Sequence, residues 1–422
     1  MGRPVSPSAP NEIPESLGFS QTVLQPVAQS TIDGSNSTNA QATTEALQKA
    51  PLGILKKFEH HSFSGFGFNT IFRPHSTNKN TPTRLQVTPP SERNPDDNIL
   101  QLNLTKEVMK FDFRLGAVPN RGLFGQADIN LNGVPYTQKI FDVMEPEVEK
   151  PLIHFENGLW MHVPESTTPA LPASLARMAS IPHGTTINAQ SFSAPVTSKG
   201  APTIESISIT PFIIGKPKEL IHFPSQDANN KDTFRLPQDL TPFTKAETVT
   251  QEMISNPNVV LTNANKGKEI IEHTTYTIST SPPESELGGG TSNIGFLSGN
   301  GSQGDGTPNT DNTPRANANA VKVTATYWIS TVRAKLQLKP FTPTMEEPTK
   351  TFSPVAFRPT DAVPVYTVDF KIPSAKEVTV EYTQIQYSQV VFLDFATLSW
   401  PHATVATLAP TDLKLKHSIL RT

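Results

Sequence analysis

The sequence predicts an all-β chain, an antiparallel barrel of about ten to twelve strands with long loops and one short inserted helix. Three observations lead there. Strand-length runs recur from Leu100 to Leu408 with turn residues between them, and few segments show the i, i+3, i+4 apolar spacing of a helix. The connections are rich in Ser, Thr and Asn, and the chain carries 40 prolines and 23 glycines. So many strands exceed what a flat sheet holds without curling or splitting, so closure into a barrel or division into a sandwich follows.

Taken in order, residues 1–50 are rich in Ser, Pro, Asn and Gln and are expected to form a disordered or draped extension. Residues 51–422 are expected to form one barrel domain, with insertions at about 215–265 and 281–320. Gly65-Phe66-Gly67 lets a first strand coil tightly. Gln101 to Glu107 and Val108 to Leu115 flank a short polar connection. Asn132-Gly133 is a hairpin signal between Gln126–Leu131 and Val134–Val143. Pro151 to Val163, Ser174 to Ile181, Thr185 to Ser193 and Thr203 to Ile214 continue a meander. Thr244 to Ile254 reads as a short helix that ends before Asn256-Pro257, because a residue preceding proline disfavours helical geometry. Lys268 to Thr280 is a long strand, followed by a Gly, Asn, Ser and Thr tract expected to be a flexible excursion.

Ala320 to Val332, Val363 to Ile372, Glu377 to Leu393 and Leu398 to Leu408 complete the set. In Glu377–Leu393 the apolar parity shifts from Val378, Val380 and Tyr382 to Ile385, Tyr387, Val391 and Leu393. A bulge or a change of exposed face accounts for that.

Composition removes several classes of function. The formal net charge is -3 without a large basic cluster, so a nucleic-acid partner is not expected. No cysteine occurs, which excludes disulfides, zinc-thiolate sites, iron-sulfur clusters and haem-thiolate ligation. No run approaches the roughly 20 apolar residues that span a bilayer. The start of the chain lacks the features of a signal peptide, and a cytoplasmic location is expected. Asn36, Asn103 and Asn300 match glycosylation acceptors, a pattern that chance supplies in so Asn- and Thr-rich a chain. No G-x-S-x-G elbow or His-Glu-x-x-His helix is present, and no catalytic residue is assigned.

Chemistry concentrates around three of the ten histidines. In Leu398-Ser399-Trp400-Pro401-His402, strand parity places His402 on one face with Leu398, Trp400, Thr404, Ala406 and Leu408. An imidazole on an apolar inward face is either a satisfied core residue or a ligand for something bound there. His154 and His162 share a parity, but eight strand steps separate them by roughly 26 Å. They cannot meet at one metal unless Asn157-Gly158 breaks the strand, and the bland reading is a bend there with Trp160 in the core. His183, between Pro182 and Gly184, belongs at a tight turn on the rim, where it covers a pocket mouth or caps the turn.

The order of these segments resembles the nitrobindin-like haem barrels, relatives of lipocalins and fatty-acid-binding proteins. The resemblance rests on Ser64-Gly65-Phe66-Gly67-Phe68-Asn69, Ile153-His154-Phe155-Glu156-Asn157-Gly158-Leu159-Trp160, Ala176-Arg177-Met178-Ala179-Ser180-Ile181-Pro182-His183-Gly184 and Trp400-Pro401-His402. It implies a b-type haem whose iron is held by His402, with His183, His154, Trp400, Trp160 and Met178 around it. It also implies small gaseous or peroxide ligands at the iron. The chain departs from the pattern in its length and in Ser62-Phe63-Ser64-Gly65, where a tryptophan is usual. Two other functions stay open: a carrier of a fatty acid or other apolar molecule, its carboxylate met by Arg177, Arg121 or Arg73, and a structural β protein with no ligand and no internal cavity.

Overall fold

The computed structural model describes residues 50–75, 85, 98–144, 150–191, 193–281, 289–293 and 318–421. The chain divides into Met1–Glu45, outside these residues, and Ala46–Thr422, which contains the barrel. The expected extension, the Asn36 and Asn300 acceptors and most of the 281–320 tract also lie outside the described residues.

Ten strands form the barrel: β1 (Ser62–Pro74), β2 (Asn98–Phe111), β3 (Ile129–Asp142), β4 (Leu152–Val163), β5 (Ser174–Ser180), β6 (Thr185–Gln190), β7 (Glu269–Ser279), β8 (Asn319–Leu338), β9 (Lys376–Phe395) and β10 (Leu398–Pro410). They pair in chain order, all antiparallel. Pairing of β10 with β1, from Phe63 opposite Pro410 to Thr70 opposite Ala403, closes the cylinder. At that seam a Cβ on Gly65 or Gly67 would collide with the carbonyls of Thr407 and Val405, so the two glycines permit the close approach. One joint is thin. β6 and β7 share only the pair Gln190–Ser279, and Gly290–Asn293 pairs along β6 in place of β7.

Two turn signals are overridden. Asn132-Gly133 runs inside β3 rather than forming a hairpin, and Asn157-Gly158 runs inside β4. Asn132 is buried and donates to the Ala50 carbonyl, while its Oδ1 accepts the amides of Gly116 and Gly133. Gly133 and Gly158 lie against the carbonyls of Trp160 and Met178 on the neighbouring strands. Tertiary contacts thus hold both pairs extended, where an isolated segment would turn. Val108 likewise continues β2 without a break.

The inserted helix is three short ones, α1 (Thr241–Lys245), α2 (Gln251–Ser255) and α3 (Val259–Asn265). Glu247 at φ 55° breaks the first from the second, and Thr250 caps α2 by accepting the Met253 amide. With residues 203–240 they cover the outer face of β1, β2 and β10, where Phe68, Phe72, Leu100, Leu102 and Val405 pack against Leu240, Val249, Ile254 and Leu261. That wall is buried on both faces. Of Thr203–Ile214 only Phe212–Ile213 is a strand, and of Val363–Ile372 only Tyr366–Val368.

The parity shift in β9 is a change of covered face, not a bulge. Its register with β8 is unbroken from Gln337–Glu377 to Val323–Val391. Val378 and Val380 pack under the overhanging ends of β8 and β9, whereas Ile385, Tyr387 and Val391 face the barrel interior.

Candidate functional site: the barrel interior

Inward residues of the strands change character along the barrel axis. On β3 the order is Val134, Tyr136, Gln138, Ile140; on β4 it is Trp160, Gly158, Glu156, His154; on β2 it is Phe111, Met109, Glu107, Thr105, Asn103. One end is an apolar plug made of Val134, Trp160, Met109 and Phe111, closed by Leu52, Leu55 and Phe58. A layer of buried charge follows, and beyond it lies a cavity of about 460 Å³.

The charged layer centres on Arg177 and Glu156, which form a buried ion pair. Arg177 also donates to Tyr136 Oη at 2.7 Å, Tyr327 Oη at 2.8 Å and Gln389 Oε1 at 2.7 Å. Burial alone would raise the Glu156 carboxyl, but Arg177 and the hydrogen bond from His154 hold it low, at about 2. Among the described residues no cation is paired with Glu107. It accepts from Tyr387 Oη at 2.6 Å and Gln138 Nε2 at 3.1 Å, and its burial pushes it up to about 7.

Above this layer, Gln138, Tyr387 and Gln389 form the cavity floor, each bonded downward to Glu107 or Arg177. Asn69, Gln101, Asn103, His154, His402 and Thr404 are polar members of the wall; Ile71, Ile140, Ile153, Val391 and Leu393 are apolar ones. His183 and Gly184, from the turn between β5 and β6, stand at the rim, with the His154 and His183 rings edge to face at 4.9 Å.

His402 is the most tightly specified of these. Its Nε2–H donates to Asn69 Oδ1 at 2.8 Å, Asn69 Nδ2 donates to Asn103 Oδ1 at 3.2 Å, and Asn103 Nδ2 donates to Asp142 Oδ2 at 2.7 Å. This chain crosses from β10 over β1 and β2 to β3. It fixes the tautomer with the proton on Nε2 and the lone pair on Nδ1. Burial, with the nearby His154 and His183, lowers the imidazole to about 3, so it is neutral at ordinary pH. The wall therefore presents a fixed hydrogen-bond acceptor.

Of the six residues expected around a ligand, His402, His183 and His154 line one cavity. The other three do not. Trp160 sits in the plug against Tyr276 and Tyr327. Met178 points outward and is 36 % exposed, because its parity is opposite to that of Arg177. Trp400 stacks on Phe395 at 4.7 Å and packs against Phe72 and Phe223, with its indole N–H donated to the Phe395 carbonyl. His162 lies at the plug end beside Gly53, away from His154. Of the three arginines offered to a carboxylate, Arg73 lines the cavity and bonds Gln101, Arg177 is taken up by Glu156, and Arg121 pairs with Asp128 on the surface. Asn103 is buried in the cavity wall, so its match to an acceptor sequon is a coincidence.

Several site residues were missed in sequence: Asn69, Asn103, Glu107, Gln138, Tyr387, Gln389 and Thr404. Their signal is an amide, carboxyl or hydroxyl at an inward parity between bulky apolar residues. It becomes readable only once the inward face is known.

The fold and site define a closed ten-stranded antiparallel β-barrel with an internal cavity and a buried ionic floor. No family model, curated protein or solved structure matches this chain. Among the described residues no helix is long and apolar enough to cross a membrane, and no group of three or more His, Asp or Glu side chains is placed to hold a metal ion.

An iron porphyrin fits the observed donor set poorly. His402 Nε2 is committed to Asn69, which leaves Nδ1 for a metal. Nδ1 adjoins the ring carbon that bears Cβ, so the side chain's own stem crowds a flat macrocycle bound there. His154 Nε2 is in turn turned to Glu156 at 3.3 Å.

Proposed function

We propose that this protein binds a small organic molecule inside the barrel, with His402 Nδ1 accepting a hydrogen bond from it. The observation that carries the reading is the cavity itself. A purely structural barrel fills its interior with side chains, whereas a wider cylinder leaves room for a ligand. Here ten strands leave about 460 Å³. Its wall mixes isoleucines with amides and imidazoles, which suits an apolar body with a few polar groups. A simple fatty-acid carrier would need a cation for the carboxylate, and Arg73 is the lining arginine.

Haem b is the second reading, favoured by the convergence of three imidazoles on one cavity. It requires the His402–Asn69 bond to give way. Native mass spectrometry of the full chain purified from cells, beside hemin titration followed at the Soret band, separates the two. An organic adduct lost in His402→Ala supports the first reading. A Soret shift abolished by His402→Ala supports the second, and the absence of both adduct and shift overturns both.

A further inference from the structure

Glu107 is a fully buried carboxyl in the middle of the barrel, yet among the described residues no counter-charge is paired with it. The charged and titratable groups facing it are Glu156 of β4, Tyr327 of β8 and Tyr387 of β9, while Arg177 of β5 is paired with Glu156. β1 contributes none, β2 itself contributes only the Thr105 hydroxyl, and β3 contributes the neutral Gln138. An anion in this position is costly unless hydrogen bonds satisfy it.

Those hydrogen bonds come from the cavity floor. With Glu107 ionised, the Tyr387 hydroxyl donates downward to Oε2, and its oxygen accepts from Gln138 Nε2 at 2.9 Å. The one proton Tyr387 could offer a ligand is thereby turned away. If Glu107 takes a proton, the carboxylic acid donates to Tyr387 Oη, which has two lone pairs and continues to accept from Gln138. The phenol hydrogen is then released towards the cavity that Tyr387 lines. One proton enters from solvent, no covalent bond changes, and Tyr387 stays un-ionised.

We propose that the ligand presents a carbonyl-type hydrogen-bond acceptor to Tyr387, and that its binding is coupled to uptake of one proton by Glu107. This rests on the cavity being a binding site and adds what kind of group the floor selects. The ligand thus carries two complementary groups, a donor for His402 Nδ1 and an acceptor for Tyr387. Because free Glu107 loses its proton near pH 7, affinity for an acceptor ligand is level below that pH and falls about tenfold per unit above it.

Two neutral probes of matched shape test the coupling: 2-acetylnaphthalene, which has the acceptor, and 2-ethylnaphthalene, which lacks it. Binding to the full chain is followed by fluorescence between pH 6 and 9. The expected result is a tenfold-per-unit loss above pH 7 for the ketone and a flat profile for the hydrocarbon. Glu107→Gln, whose amide donates to Tyr387 as the protonated acid would, should hold the ketone at its low-pH affinity throughout. Tyr387→Phe should make the two probes equal and both flat. A pH-independent ketone, or two probes that weaken together, overturns the coupling while leaving the cavity as a binding site. Failure of both probes to bind at any pH overturns the binding site and the coupling with it.

Discussion

Trp400 and His402 are two residues apart on one strand and have the same parity, yet they belong to regions of opposite chemistry. Trp400 is held by Phe72, Phe223 and Phe395 in an apolar cluster that the inserted helices cover. His402 meets a relay of asparagines that ends on Asp142. The first region is stabilised by area removed from water and tolerates changes of similar volume. The second is stabilised by pairing, in which each polar group is costly as soon as its partner is lost. Shared parity does not give the two residues one environment: position along the strand decides which cluster each joins.

The sharpest way to break this contrast is Arg177→Met. It leaves Glu156 buried without its cation, and a loss of about 4 kcal/mol in denaturant-measured stability is expected. Adding Glu156→Gln should recover much of that loss. No recovery would mean that Arg177 acts through packing. Trp400→Ala comes next, at about 3 kcal/mol, from lost burial and the space left behind. If the two regions are as separate as their contacts indicate, a Trp400→Phe variant that keeps the fold retains ligand affinity within about twofold. A larger change in titrated affinity would join the two regions.

Glu107→Gln gives an effect that depends on pH, absent in acid and no larger than that of Trp400→Ala at pH 8. The folded value of about 7 lies above the ordinary 4.5, so the protonated acid is the form that favours folding. Its contribution is complete below about pH 4.5 and is lost as pH rises through 7. The variant should therefore match the wild type near pH 4 and exceed it by about 3 kcal/mol at pH 8. Parallel stability curves across that range would show that Glu107 does not titrate there.

The all-β character, the closing strand, inward His402 and rim His183 were legible because period-2 alternation and the Pro-His-Gly turn are local signals, whereas His154 entered the site only through the resemblance. Asn132-Gly133 was misread for the complementary reason. A dipeptide's turn preference amounts to little beside a buried asparagine with three partners and a glycine packed on a neighbouring carbonyl. The resemblance, not strand parity, is what sets Met178 and Trp160 beside the histidines. The strand's pleat sends Met178 outside, and its length carries Trp160 down into the plug.

By itself the sequence determined that the chain is all-β and many-stranded, as a barrel or a sandwich, and that His402 faces inward, since alternation is a property of each strand alone. Only the tertiary structure decided that His402 is a neutral acceptor locked by Asn69, and that Glu107 sits beneath Tyr387 with no cation paired to it among the described residues. Those facts depend on registers between strands up to 333 residues apart, as for His402 and Asn69. Which inward polar groups meet is set by how the cylinder closes, and no local pattern encodes that.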